Sequence, residues 1–123
     1  MSHILINAKH VQRKFVDDVT TVGDGSHFVD DGVLAIEATT GNALIFERSN
    51  WDEQHHAADP RLKLELRLFQ IGFRKTRSSQ YNHEAGVMTI TGTFDRIKPE
   101  TFTIKMERND AELVRELLMR LNF

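Results

Sequence analysis

The sequence predicts an α+β domain: an antiparallel sheet of about seven strands, strongly bent or partly closed into a barrel, capped by one C-terminal amphipathic helix. Three observations carry this. At the end of the chain, Phe102, Ile104 and Met106 alternate with Thr103, Lys105 and Glu107, which is the period of a half-buried strand. Leu113, Val114, Leu117, Leu118 and Leu121 then recur at helical spacing and form one apolar face. Upstream, two apolar runs flank a Gly-Asn turn, and a later strand pattern changes its apolar parity without a turn residue.

The 123 residues are expected to form a single domain over 1–123. That length buries roughly two-thirds of the surface the unfolded chain exposes. The absence of cysteine excludes a disulfide framework and a thiolate metal site. Met1 to Lys14 carries only short apolar runs, and a membrane span needs about 20 consecutive apolar residues. A soluble, cytoplasmic protein is the expectation. The net charge of −2 selects no partner class, but its distribution is uneven. Residues 1–60 hold ten acids against four bases, a balance of −6, and residues 61–123 hold eight acids against twelve bases, a balance of +4. Such asymmetry fits an anion-binding face or a self-complementary oligomer.

Taken in order, Ile4-Leu5-Ile6 is a first strand. Lys9 to Val19 fits two periods. Val11, Phe15 and Val19 would stripe a short helix, while Val11, Arg13 and Phe15 fit a strand that could follow a tight turn near Ala8. We adopt the strand and leave the helix open. Thr20 to Asp31 reads as loop, through Gly23, Gly25 and its aspartates. Gly32 to Arg48 is the clearest hairpin: Val33-Leu34-Ala35-Ile36 and Ala43-Leu44-Ile45-Phe46 enclose Thr39-Thr40-Gly41-Asn42. Its runs are nearly continuous in apolar residues, which places it centrally in the sheet.

Ser49 to Pro60 is a polar connection. Arg61 to Arg74 is the longest strand signal: Leu62, Leu64, Leu66 and Leu68 share one parity, whereas Phe69, Ile71 and Phe73 take the other. A flip of this kind requires a bulge or bend, and Gly72 is compatible with one. Lys75 to Ala85 reads as polar loop. Gly86 to Phe94 is a strand with Met88, Ile90 and Phe94 inward, and Gly92 falls on that inward face. Asp95 to Glu100 turns into the last strand. Asn109 is the expected helix N-cap, with Glu112 completing a capping-box pair.

About seven strands followed by one terminal helix, with a bent central strand, resembles the pleckstrin-homology-like superfold. Gly32-Val33-Leu34-Ala35-Ile36 followed by Ala43-Leu44-Ile45-Phe46 is similar to a hairpin in its bacterial and GRAM-type members, and Phe102-Thr103-Ile104-Lys105-Met106 leading into the leucine-rich helix fits the same ending. The resemblance spans most of the chain by topology and those two segments by residue type. It implies a binding or scaffolding module rather than an enzyme, although a fold by itself does not define a function.

Several constellations are candidates for chemistry. Arg74, Lys75, Arg77 and Tyr81, among Ser78, Ser79, Gln80, Asn82 and His83, make a basic loop able to receive phosphate, a lipid headgroup or a nucleic-acid backbone. One short basic loop on a net-acidic chain argues against nucleic acid, whose binding rests on many phosphate contacts. His55, His56 and Asp59, near Asp52 and Glu53, are metal-ligand types, though adjacent histidines on an extended chain point apart. His3, His10, His27 and His83 are further imidazoles that folding could bring near. Asp17, Asp18, Asp24, Asp30 and Asp31 lack the alternation and terminal glutamate of a calcium loop, so turn chemistry explains them. Trp51 and a terminal Phe123 are partner-binding candidates, since large aromatics anchor interfaces.

No phosphate-binding glycine loop, dinucleotide fingerprint, nucleophile elbow or zinc-protease helix is present. The expected function is therefore a non-enzymatic interaction module that binds a protein partner or self-associates, without a cofactor. The alternatives are an anion binder through the basic loop and a metal-binding protein or hydrolase through residues 52–59.

Overall fold

The structure is a computed structural model that describes residues 4–15, 27–50, 67–94 and 99–121. Seven strands precede one helix: β1 (Ile4–Phe15), β2 (His27–Ile36), β3 (Asn42–Glu47), β4 (Arg67–Gly72), β5 (Thr76–Asn82), β6 (Val87–Gly92), β7 (Glu100–Lys105) and α1 (Arg108–Leu121). All ladders are antiparallel, and the sheet order is β4-β3-β2-β1-β7-β6-β5. Two meanders, β1 to β4 and β5 to β7, are thus joined through the β1–β7 ladder. No ladder between β4 and β5 closes the sheet among the described residues.

The sheet is nevertheless strongly curved. β4 and β5 are its two outermost strands, yet only the one-turn 3-10 helix Phe73–Lys75 connects them. From Gly72 to Thr76 the backbone reaches at most about 14 Å, whereas the edges of a flat seven-stranded sheet stand roughly 29 Å apart. The two edges must therefore converge at this corner. The interior agrees: Phe69 on β4 and Phe102 on β7 are four ladders apart along the sheet, but their ring centroids are 5.4 Å apart in an edge-to-face arrangement. α1 contributes Ala111, Val114, Leu117, Leu118 and Leu121 to the same core. Its apolar face is the one the leucine spacing predicts.

Two irregularities shape the curvature. In the β3–β4 ladder Ile45 faces Phe69 while Phe46 faces Arg67, so the register slips at Leu68. This is where the apolar parity of the sequence flips, and Phe69, Ile71 and Phe73 then enter the core. In β1 the register against β7 shifts between Lys9 and Gln12, around His10 at φ 48°. Ile6 and Ala8 before the bulge and Val11 after it all face inward as a result.

Several expectations are corrected. Residues 4 to 15 form one long strand, with no turn near Ala8 and no helix up to Phe15, because the bulge at His10 resolves the conflicting apolar spacing. The expected loop through Asp31 ends earlier: β2 starts at His27, since His27, Phe28 and Val29 pair with Arg13, Gln12 and Val11 at the far end of β1. The expected polar loop 75–85 is mostly strand, as β5 spans Thr76–Asn82. The helix begins at Arg108 rather than after an Asn109 cap, and its first bond runs from the Ala111 N–H to the Glu107 carbonyl. Glu112 accepts from Arg108 at 3.3 Å instead of closing a capping box. The Leu62–Leu66 pattern lies outside the described residues.

Two glycines are required by packing. Gly41 closes the β2–β3 turn at φ 79°, and a Cβ there would stand 2.8 Å from the Leu121 side chain of α1. Gly92 faces inward, and a Cβ there would meet the Lys75 carbonyl oxygen at 2.5 Å. Its missing side chain is what lets the corner between β4 and β5 approach β6.

Candidate functional site

The predicted basic loop is a corner followed by an edge strand. Phe73 is buried at the start of the corner and commits its N–H to the Gly41 carbonyl at 2.9 Å. This anchors the next residue, Arg74, over the β2–β3 turn. Arg74 donates from Nε to Thr40 O at 3.2 Å, and from its terminal nitrogens to Thr39 O at 3.2 Å and Leu121 O at 3.5 Å. Its cation thus sits on carbonyls of a turn and at the C-terminus of α1, where a positive charge is favoured. Tyr81, at the other end of β5, donates from Oη to Met106 O at 3.0 Å. The same Met106 donates its N–H to Gly86 O at 2.9 Å, so the β5–β6 turn is clasped to the strand-to-helix junction.

Of the four predicted ligand residues, then, Arg74 and Tyr81 bind backbone carbonyls of this chain. Lys75 and Arg77 are exposed. The corner brings Arg74 and Lys75 together, with Arg77 at the first residues of β5. Tyr81 is separated from them by the length of the strand and instead meets the His83 ring edge-on, at 5.0 Å between centroids.

β5 pairs with β6 along one side and ends the sheet order on the other. Its register is regular from Ser78, opposite Thr91, to Asn82, opposite Val87, and shifts between Thr76 and Ser78 at Arg77. Ser78, Gln80 and Asn82 are exposed, while Ser79 and Tyr81 are half-buried. Because one face is open to solvent and its inward side chains are a threonine, a serine and a tyrosine, the strand lacks the apolar alternation that marks a strand in sequence. An edge strand carries a row of backbone donors and acceptors that can pair with another chain.

A second polar cluster, which sequence reading did not identify, covers the outside of β1, β2 and β3. Asp31 Oδ1 accepts from Lys9 Nζ at 2.8 Å and from Arg48 Nε at 3.0 Å. Arg48 also donates to Asn7 Oδ1 and to Gly32 O. The hydrogen bond from Lys9 first, and that from Arg48 next, hold the Asp31 carboxyl below its ordinary value. His10 Nδ1 lies 2.7 Å from Asp30 Oδ1 beside it. The aspartates predicted as turn chemistry thus include two strand residues, Asp31 paired with Lys9 and Arg48 and Asp30 beside His10. The spacings Lys9 to Asp31 and Asp31 to Arg48 follow from strand registers, which no local pattern reveals.

Inside the curved sheet, Glu100 is fully buried at the start of β7, and the Arg13 guanidinium carbon stands 5.4 Å from the Phe69 ring centroid. Glu100 was expected in a turn. Its inward position follows from its parity with Phe102 and Ile104.

Trp51, His55, His56, Asp59 and Phe123 lie outside the described residues, as do Asp17, Asp18 and Asp24. Among the described residues no group of three or more His, Asp or Glu side chains is placed to hold a metal ion. No helix among them is long and apolar enough to cross a membrane. Comparison with protein-family models and with curated proteins finds no match to this chain.

Proposed function

We propose that this chain is a non-enzymatic interaction module of pleckstrin-homology-like architecture, in which the curved sheet acts as a partly closed barrel. Its working surface is the outer edge of β5, and the partner adds an extended segment there. The observation that carries this is the placement of a polar, exposed strand at the end of the sheet order, with no described strand beyond it. Strand addition draws affinity from main-chain bonds and specificity from alternate side chains. The order of two meanders closed by a C-terminal helix supports the architectural part of the reading.

The test uses peptides selected on the immobilised chain from a random display library. Their binding is measured to the wild type and to Ser79→Pro and Gln80→Pro. Adjacent strand residues point their N–H groups to opposite sides. One substitution therefore removes a bond to β6 and lowers stability, while the other removes an outward donor and leaves the fold intact. Selected peptides are expected to lose binding to the folded variant. Undiminished binding there would move the working surface elsewhere.

A second reading draws on the exposed cations Lys75 and Arg77, which would receive an anionic group at the corner. Reversing both charges should abolish binding of inorganic phosphate or of anionic vesicles, together with its salt dependence. Unchanged binding excludes it.

A further inference from the structure

We infer that the occupant of the β5 edge is β5 of a second copy of this chain, antiparallel about a two-fold axis at Gln80. The inference rests on the edge-strand reading above and names its partner. Three features converge on it.

The first is charge order along the strand. Lys75 and Arg77 lie at its start, Glu84 lies just past its end, and all three are exposed. Arg77 is the only charged residue within β5. An antiparallel copy brings each chain's cations toward the other chain's Glu84, at both ends at once. A parallel copy would set like charges side by side. A uniformly acidic peptide would satisfy the cations but oppose Glu84.

The second is register. A two-fold axis perpendicular to a sheet places residues of the same face opposite each other, so the axis must pass through a residue position. The bulge at Arg77 leaves Ser78–Asn82 as the regular stretch, and its midpoint is Gln80. Gln80 then faces Gln80 of the partner subunit, Ser79 faces Tyr81 of the partner subunit, and Ser78 faces Asn82 of the partner subunit. No like charges meet directly.

The third is side-chain chemistry. Gln80 is exposed on the open face, and its amide carries both donor and acceptor groups. Two such amides across a two-fold axis can satisfy each other reciprocally. The stretch contains no proline and no inward-pointing charge, the devices by which edge strands repel one another. Its contact is short, so the association is weak and concentration-dependent.

The experiment combines light scattering over a concentration series with single-cysteine oxidation. The chain has no native cysteine, so Gln80→Cys and the exposed helix control Arg115→Cys each carry one thiol. The wild type is expected to rise toward dimer mass with concentration and to fall back with added salt. Gln80→Cys is expected to form a disulfide-linked dimer several-fold faster than Arg115→Cys, and Arg77→Glu should remain monomeric. A chain monomeric at every concentration, or a Gln80→Cys rate equal to the control, overturns the proposal. Amide exchange on the same samples then separates the two failures. If alternate amides of Ser78–Asn82 exchange rapidly in the monomer, self-pairing falls while the edge stays open to another partner. If all of them are protected in the monomer, the edge is covered within the chain and the edge reading falls too.

Discussion

The β2–β3 and β5–β6 hairpins have the same local geometry and opposite physical situations. β2 and β3 are interior strands, and Val33 to Ile36 and Ala43 to Phe46 are buried on both faces. Leu34, Ile36, Ala43 and Ile45 enter the core shared with α1, whereas Val33, Ala35, Leu44 and Phe46 are buried outside that cluster. β5 is bonded along one side and wet on one face. The difference teaches that a strand's place in the sheet, more than its propensity to extend, decides which side chains it needs. An interior strand must be apolar on both faces, while an edge strand can be serine, glutamine and asparagine.

This contrast can be broken or sharpened by mutation. The largest effect is expected in the interior hairpin. Ile45 is fully buried, and Ile45→Ala should lose about 2–5 kcal/mol in denaturant unfolding, through transfer and cavity terms. A loss as small as that of an exposed site would mean that β3 is not in the core. At its turn, Gly41→Ala forces a side chain into positive φ against Leu121. The cost should be about 1–2 kcal/mol, and relief by a second substitution, Leu121→Ala, would identify how much of it is the clash.

The corner joining the two hairpins comes next. Arg74→Ala removes three carbonyl contacts and the cation at the end of α1. It should lower stability by about 1 kcal/mol without altering partner binding. An effect on binding alone would return Arg74 to the ligand site.

The Asp31 cluster gives a pH-dependent test. Its carboxyl is held below the ordinary value of 3.8 by Lys9 and Arg48. The folded state therefore binds this proton less readily than the unfolded chain does. The stabilisation is complete above the unfolded value and is lost as pH falls through the folded one. The thermal midpoint of Asp31→Asn should lie below wild type at neutral pH, and the gap should narrow in acid. A gap constant across the range would mean that the carboxylate charge is not what Lys9 and Arg48 use. The smallest effect is expected at the edge: Gln80→Ala should change stability by less than about 0.5 kcal/mol, though it alters self-association.

Much of the fold was legible because it rests on periodicity. Phe102, Ile104 and Met106, the leucine face of α1, the hairpin at Gly41 and the parity flip at Leu68 each leave a local signature of burial. β5 left none, since Ser78, Gln80 and Asn82 face water and the pattern resembles a loop. The start of α1 was misplaced for a related reason. Asn109 has the chemistry of a cap, but the helix begins at Arg108, with the Ala111 N–H bonded to the Glu107 carbonyl just after the Met106 clasp. The basic cluster was legible as composition only. Which of its members spend their donors on carbonyls depends on a turn some 35 residues earlier in the chain, as the Arg74 to Thr39 bond shows.

By itself, the sequence determined the α+β class, the interior strands, the bulge and the apolar face of the terminal helix. Each follows from how water sorts side chains at spacings of two or of 3.6 residues. Only the tertiary structure decided that β4 and β5 become the two edges of one curved sheet, that Asp31 gathers Lys9 and Arg48, and that Arg74 caps α1 while Arg77 stays free of the corner. Those pairings join residues distant in sequence: strand registers set Asp31 beside Lys9 and Arg48, and the packing of α1 against the corner gives Arg74 its Leu121 carbonyl.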